Sequence, residues 1–178
     1  MGNKELLKTN KTFFLIGTCA AISMYVGYIK EYLLGNNSLE KTIIIIISMF
    51  LIHMCINITY YKDKSSEKIK WIGVISYILI YGIGLLFAQN NIVFVTGLAI
   101  LLICALYLDE KLIKSANMLV IAINTLDLLI RIFIRKQWSK ELTTPYMVTV
   151  GAILIFAYGY RKLVSLITEL QIANTARV

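Results

Sequence analysis

Residues 42–61 read TIIIIISMFLIHMCINITYY, an apolar run that contains no Asp, Glu, Lys or Arg. An α-helix rises about 1.5 Å per residue, so a run of this length matches the roughly 30 Å hydrocarbon core of a bilayer. The rest of the chain has the same character. Of its 178 residues, 58% are hydrophobic and 16% are charged, whereas soluble domains carry about 25% charged residues. The composition therefore predicts an integral membrane protein.

Further apolar runs lie on both sides of this one, at 12–34, 71–88, 92–108, 115–134 and 145–160. The polar stretches between them are too short to form a separate soluble domain. None of the runs alternates as a transmembrane strand does. We therefore expect an all-α polytopic membrane protein with six transmembrane helices. The six-helix bundle would occupy 1–160, and a cytoplasmic amphipathic exit helix would occupy 161–178.

Three short stretches carry signals for helix boundaries. Gly35 follows the first span and suits the left-handed position just after a helix, while Ser38 is a favoured N-cap for the second span. Residues 88–91 predict a tight turn between the third and fourth spans. Thr144 followed by Pro145 predicts an N-cap and the first helical position of the last span.

The net charge of +8 indicates the orientation of the chain in the membrane. With the N-terminus in the cytoplasm, twelve of the eighteen Lys and Arg residues lie on the inner side: Lys4, Lys8, Lys11, Lys62, Lys64, Lys68, Lys70, Lys111, Lys114, Arg161, Lys162 and Arg177. The positive-inside rule then predicts an N-in, C-in topology, with anionic lipid and not nucleic acid as the partner of the basic residues. Tyr25, Tyr28 and Tyr32 near the outer end of the first span fit an interfacial aromatic belt.

The fifth span carries four polar residues, Asn117, Asn124, Asp127 and Arg131. Their offsets of seven, three and four place them on one helical face. A single charge at a helix centre costs about 2.5–3.5 kcal/mol on insertion scales, so polar residues here are functional candidates. We expect Asp127 and Arg131 to neutralise each other in part and Arg131 to extend outward to the membrane surface. The face is either one wall of a ligand cavity or a set of contacts between helices.

Two further pairs each lie on one helical face. His53 and Asn57 are four residues apart in the second span, and His53 is the only histidine of the chain. It is either a pH-responsive or ligand-binding group or a packed core residue. Tyr77 and Tyr81 lie deep in the third span, where they either line a pocket or form hydrogen bonds between helices.

The cysteines do not predict a catalytic or metal site. Cys19, Cys55 and Cys104 lie in three different apolar runs, and no two of them have the spacing of metal ligands. Residues two apart on a helix point about 200° away from each other, so His53 and Cys55 are badly placed to share a proton. We expect no enzymatic activity, no metal and no cofactor.

The segment after the last span is polar and helical in pattern. Leu163, Leu166, Leu170 and Ala173 occupy the a and d positions of two heptads. Two heptads are too few to hold a coiled coil by themselves. The pattern predicts a helix that leaves the bilayer and pairs with a partner, and a helix lying on the membrane surface is the alternative.

The junction of the fourth and fifth spans reads Leu106-Tyr107-Leu108-Asp109, with Lys111 next and Asn124 further on in an apolar helix. This pattern resembles the multi-span input region of clostridial methyl-accepting chemotaxis proteins and related bacterial membrane sensors. The resemblance extends to the layout of six spans, very short outer loops and a helix leaving the last span. It implies a multi-pass sensor or receptor input module in the cell membrane that acts in signal transduction, including chemotaxis. It also implies a homodimer or larger assembly through the exit helix, with a cytoplasmic signalling domain or subunit as the output partner.

Two other functions fit the same layout. The chain also resembles the six-span substrate-binding subunits of vitamin-type uptake transporters, which are of similar size and lack soluble domains. Such a subunit would use a polar cavity within the membrane. The third possibility is a structural membrane partner that binds no ligand.

Overall fold

The computed structural model describes residues 3–87, 93–136 and 140–175. It is 91% helical, and the described residues contain no strand. The elements are α1 (Asn3–Leu33), α2 (Leu39–Lys62), α3 (Lys68–Phe87), α4 (Val93–Cys104), a 3₁₀ turn (Ala105–Tyr107), α5 (Glu110–Leu129), a π-helical segment (Ile130–Ile134) and α6 (Lys140–Thr175). The predicted all-α class is confirmed.

Five helical segments are long and apolar enough to cross a membrane: Asn3–Leu33, Leu39–Lys62, Lys68–Phe87, Glu110–Ile134 and Tyr146–Ile167. The helix at the fourth predicted span is shorter than these five segments. α4 has 12 residues, and the 3₁₀ turn that follows it has 3. The predicted turn at 88–91 lies outside the described residues.

The helix boundaries predicted at Ser38 and Gly35 are confirmed. Ser38 caps α2, since its Oγ accepts a hydrogen bond from the backbone N–H of Lys41 at 3.3 Å. Gly35 has a φ of +76° just after α1, a conformation that glycine adopts without steric cost. The boundary predicted at Thr144 and Pro145 was wrong, because α6 begins at Lys140. A proline inside a helix removes one backbone hydrogen bond, and the residues before it are nevertheless helical here.

α3 is the central helix of the bundle. In its apolar window 61% of the residues are buried, against 11–28% for the other four spans. It contacts α1, α2, α4 and α5. The outward faces of the other helices carry large apolar side chains that are 60–75% exposed, among them Leu15, Val26, Ile58 and Ile155. Apolar surface of this extent is compatible with insertion into lipid.

α1 and α3 approach each other closely at two glycines. A Cβ atom added to Gly17 would overlap the ring of Tyr77, and one added to Gly73 would overlap the ring of Phe13. The two aromatic rings also contact each other, with centroids 5.5 Å apart. Small residues permit such contacts in membrane bundles, where van der Waals packing contributes much of the association energy.

One end of the bundle is held together by Asn10, whose side chain is fully buried. Its Nδ2 donates to the backbone oxygens of Lys64 and Ser66, at 2.9 and 3.1 Å. Its Oδ1 accepts a hydrogen bond from the hydroxyl of Tyr107 at 2.7 Å. One amide therefore joins α1 to the α2–α3 turn and to the 3₁₀ turn after α4. We call this end of the bundle the Asn10 end.

Replacing Gly17 by alanine should destabilise the protein, because the new methyl group would collide with the buried ring of Tyr77. Overpacking of this kind costs about 1–3 kcal/mol. The measurement is the thermal unfolding midpoint of the purified chain in detergent.

Gly27→Ala is the matched control, since Gly27 lies in the same helix and a Cβ there meets nothing within 4 Å. It should leave the midpoint unchanged or raise it. The double variant Gly17→Ala/Tyr77→Leu should recover part of the loss. Equal midpoints for the two glycine variants would contradict the packing described here.

Candidate functional site: the polar face of α5

The four polar residues of the fifth span are all buried in the structure. Asn117, Asn124, Asp127 and Arg131 expose 7%, 0%, 1% and 6% of their surface. Each buried polar group of an apolar helix needs a hydrogen-bonding partner, because an unpaired polar group in an apolar environment costs several kcal/mol. The contacts of these side chains therefore decide which of the two interpretations of the face is better supported.

Asn124 forms hydrogen bonds with both ends of its side-chain amide. Its Oδ1 accepts from the hydroxyl of Tyr81 on α3 at 2.9 Å. Its Nδ2 donates to the backbone oxygen of Val120, one turn earlier in α5, at 2.7 Å. Tyr81 is fully buried as well. The two sequence candidates Asn124 and Tyr81 thus form one contact between α3 and α5.

Asp127 and Arg131 form a buried ion pair, with Nε and Oδ2 2.8 Å apart. Arg131 also donates from Nη2 to the backbone oxygen of Leu85 at 3.0 Å. The expectation that Arg131 extends outward to the membrane surface was wrong. The last carbonyls of a helix lack partners within that helix, and those of α3 provide acceptors inside the bundle. Arg131 lies in the π-helical segment, a distortion that is frequent at functional sites.

Three side chains, one from α1 and two from the end of α5, donate hydrogen bonds to the last carbonyl oxygens of α3. The hydroxyl of Tyr28 on α1 donates to Gly84, Arg131 to Leu85, and Arg135 from Nη2 to Leu86 at 2.6 Å. We call this set of three donors on carbonyls 84–86 the α3 cap, and this end of the bundle the cap end. Two of the donors are cations, which also interact favourably with the negative end of the helix dipole. The interpretation of Tyr28 as an interfacial belt residue was wrong, because its side chain is buried and used in the cap.

His53, Asn57 and Tyr77 form a second group, between α1, α2 and α3. The His53 ring is buried and lies 6.1 Å from the Tyr77 ring, centroid to centroid. Among the described residues its Nδ1 has no hydrogen-bond partner. Asn57 is half-buried and donates to the backbone oxygen of His53 at 3.0 Å. The hydroxyl of Tyr77 lies 3.5 Å from the backbone oxygen of Phe14.

The eight candidate residues therefore do not form one site. Asn124, Tyr81, Asp127 and Arg131 join α5 to α3, whereas His53, Asn57 and Tyr77 lie between the first three helices. Asn117 is in a third place, a groove between α5 and α6. Whether any of them binds a ligand stays a prediction.

The residues that carry the resemblance to bacterial sensors have structural contacts. Tyr107 bonds Asn10, and Asp109 is the N-cap of α5 through the backbone N–H of Leu112, at 3.1 Å. Asp109 also pairs with Nζ of Lys70 at 2.8 Å. Leu108 between them has a φ of +48°, a left-handed conformation that is rare for a leucine. The tight turn allows Tyr107 and Asp109 to reach partners on two different helices.

The carboxyl group of Asp109 has a lowered pKa. Its partial burial by itself would raise the pKa, but the hydrogen bonds from Lys70 and from the backbone of Leu112, with the charge of Lys70, outweigh burial. A lowered pKa means that the folded state stabilises the ionised carboxylate.

The sequence did not reveal the roles of three residues of these networks: Asn10 and Arg135 were not singled out, and Tyr28 was assigned to an aromatic belt. Asn10 lies among lysines before the first apolar run, and Tyr28 near its other end. Both belong to a buried stripe of α1 with a spacing of three, four or seven residues: Leu6, Asn10, Phe13, Gly17, Ala21 and Tyr28. The helical period of small and aromatic residues in this stripe was the signal that could have revealed them.

Comparisons of the chain with family models, curated proteins and solved structures found no match. The polar face is therefore interpreted from its own contacts. Its hydrogen bonds join α5 to Tyr81 and to the end of α3. For Asn124, Asp127 and Arg131, this arrangement supports a role in contacts between helices better than a role in lining a ligand cavity.

Breaking the buried ion pair on one side should be strongly destabilising. Asp127→Leu would leave the Arg131 guanidinium buried without its carboxylate, a change that costs about 3–5 kcal/mol. Asp127→Leu/Arg131→Leu should recover a large part of this loss. The measurement is the free energy of unfolding from SDS titration in detergent micelles.

Leu126→Ala is the control, because Leu126 precedes Asp127 and is 52% exposed. It should change the free energy of unfolding far less than Asp127→Leu. A double variant no more stable than Asp127→Leu would show that the pair is not coupled as the structure indicates.

Acid should remove the contribution of Asp109 to stability. Because its folded-state pKa is lowered, this contribution is present above the unfolded value of about 3.9 and is lost as the pH falls below it.

Asp109→Asn keeps an N-cap residue but removes the charge, at a cost of about 1 kcal/mol at neutral pH. The difference in unfolding midpoint between wild type and variant should shrink as the pH is lowered from 7 towards 3. A difference that stays constant with pH would contradict the role of Asp109.

Proposed function

We propose that this chain is the membrane-embedded input module of a sensor or receptor, which relays a stimulus acting within the bundle or at the membrane surface to its cytoplasmic side. The observation that carries the proposal is the length of α6. It is one helix of 36 residues, about 54 Å long at a rise of about 1.5 Å per residue. This exceeds the roughly 30 Å hydrocarbon core, so a helix that crosses the bilayer here also extends well beyond it.

Six crossings and an N-in, C-in topology are part of the proposal. α4 follows α3 at the cap end, and the 3₁₀ turn after it reaches Asn10 through Tyr107. α4 and this turn thus connect the two ends of the bundle in spite of their short length. The Asn10 end also brings together the turn containing Lys64, the Lys70–Asp109 pair and Arg161, which lies across a groove from Glu110. This concentration of basic residues supports a cytoplasmic position for the Asn10 end.

The polar face of α5 provides a two-state element for such a sensor. Asp127 and Arg131 hold α5 against the end of α3 through a small number of directional contacts. A shift of α5 along α3 would exchange these contacts as a set, because a buried charge cannot be left without a partner. A stimulus that binds one arrangement better would shift the population towards it.

α5 is joined in turn to α6. The hydroxyls of Thr125 and Tyr146 form a hydrogen bond at 2.8 Å between the two helices near the cap end. In the carboxyl-terminal part of α6, Leu163, Leu166 and Leu170 are 49–63% exposed. These leucines form one stripe on the helix, which suits pairing with a second copy of the chain or with a cytoplasmic signalling partner.

Cysteine cross-linking in native membranes tests this relay. The background should replace Cys19, Cys55 and Cys104, and Leu166→Cys then places one thiol in the leucine stripe. Oxidation should produce a disulfide-linked dimer. Adding Asp127→Asn should change the cross-linking rate about fivefold or more, the effect of a coupling free energy of about 1 kcal/mol.

Ser165→Cys is the matched control, because Ser165 lies next to the stripe on an exposed part of α6. It should cross-link weakly and should not respond to Asp127→Asn. A Leu166→Cys rate that is the same with and without Asp127→Asn would contradict the relay. A small solute that copurifies with the intact chain, together with an absence of dimers, would favour the uptake-subunit alternative.

A further inference from the structure

A half-open groove of about 140 Å³ lies between α5 and α6, towards the end of α5 that is opposite to the α3 cap. Its walls are mainly apolar and include Ile113, Ile121 and Ala157. Two polar side chains, Asn117 and Tyr160, also line it. The groove opens on the outer surface of the bundle, near the Asn10 end.

Both polar side chains in the groove are buried and have an unused hydrogen-bonding atom. Asn117 is 7% exposed and Tyr160 4%. Within residues 3–87, 93–136 and 140–175, no group bonds Asn117 Oδ1 or the Tyr160 hydroxyl. Leaving such atoms unpaired costs about 1–3 kcal/mol each. Asn117 Oδ1 can only accept, so its missing partner is a donor, whereas the Tyr160 hydroxyl can donate or accept.

The mouth of the groove is basic. Lys114 and Arg161 line it from α5 and α6, opposed by one carboxylate, Glu110. Together the three side chains carry a net charge of one positive unit at neutral pH. Arg and Lys at the membrane surface attract anionic lipid headgroups.

The order of these groups along α5 has a definite chemical counterpart. Asn117 lies three residues beyond Lys114, about 4.5 Å deeper, and Ile121 about 6 Å deeper again, at about 1.5 Å per residue. The groove is therefore lined in turn by a cation, by Asn117 with its unpaired acceptor, and by an apolar wall. A lysophospholipid has a phosphate, then a glycerol with a free hydroxyl, then one acyl chain. A diacyl glycerophospholipid has an ester in place of that hydroxyl, so it has no hydrogen-bond donor between its phosphate and its acyl chains, at the level of Asn117 Oδ1.

We infer that this groove binds an anionic single-chain phospholipid. Its phosphate lies between Lys114 and Arg161, and its glycerol hydroxyl donates to Asn117 Oδ1. The Tyr160 hydroxyl donates to an ester or phosphate oxygen, and the acyl chain follows Ile113 and Ile121. The leaflet involved rests on the proposed N-in topology, but binding itself does not. Because the groove joins the two helices of the proposed relay, such a lipid would also be suited to act as its stimulus.

Binding can be measured on the full chain in nanodiscs of phosphatidylcholine, with native mass spectrometry and fluorescent lysophosphatidylglycerol as probe. Wild type should bind this probe and should bind lysophosphatidylcholine or diacyl phosphatidylglycerol about tenfold more weakly. Tyr160→Phe and Asn117→Leu should each weaken lysophosphatidylglycerol binding about tenfold, the effect of one lost hydrogen bond to a buried group. Lys114→Gln/Arg161→Gln should abolish the preference for the anionic probe.

Lys162→Gln is the matched control, since Lys162 is exposed next to Arg161 but does not line the groove. It should bind as wild type does. Tyr160→Phe should also keep the wild-type unfolding midpoint without lipid, because its hydroxyl bonds no described residue of the protein.

The inference is overturned if Tyr160→Phe and Asn117→Leu bind like wild type, or if Lys162→Gln weakens binding as much as the mouth variant. Equal binding of diacyl phosphatidylglycerol would overturn the assignment to a single-chain lipid. None of these outcomes depends on the cross-linking result, so the lipid site and the relay can fail separately.

Discussion

The carboxyl end of α3 imposes the main constraint on this bundle. A helix leaves its last four carbonyl groups without partners, and no water is available inside an apolar environment to satisfy them. α3 is the most buried helix of the five long spans. Three of its last carbonyls are met by the α3 cap, with Tyr28 from α1 and Arg131 and Arg135 from the end of α5. The need to satisfy one helix end thus fixes the relative position of three helices.

The cap also explains why charges are tolerated in the fifth span. Arg131 is buried because it meets both Asp127 and the end of α3, and Asp127 in turn neutralises it. The neighbouring contact between Tyr81 and Asn124 adds a second link between the same helices. Polar residues that look like a ligand site in the sequence therefore serve first as the contacts that position α5. In the proposed sensor these same contacts define the two arrangements between which a stimulus selects.

The sequence was sufficient for the properties that depend on local pattern. Apolar run lengths predicted the helices, and the identities of Ser38 and Gly35 predicted the boundaries of two of them. Helical spacing also placed Asn117, Asn124, Asp127 and Arg131 on one buried face. The direction in which a side chain reaches could not be predicted, because it depends on acceptors from distant helices. Arg131 was therefore expected at the membrane surface and Tyr28 in an aromatic belt, whereas both point to the end of α3.

The most direct test of the account is whether the polar contacts of α5 are coupled to residues 161–170 of α6. Hydrogen–deuterium exchange of the full chain in nanodiscs can compare the wild type with Asp127→Asn. The account predicts faster exchange in two separate places, the last turn of α3 at 84–87 and residues 161–170 of α6. Faster exchange confined to α3 and α5, with residues 161–170 unchanged, would contradict it.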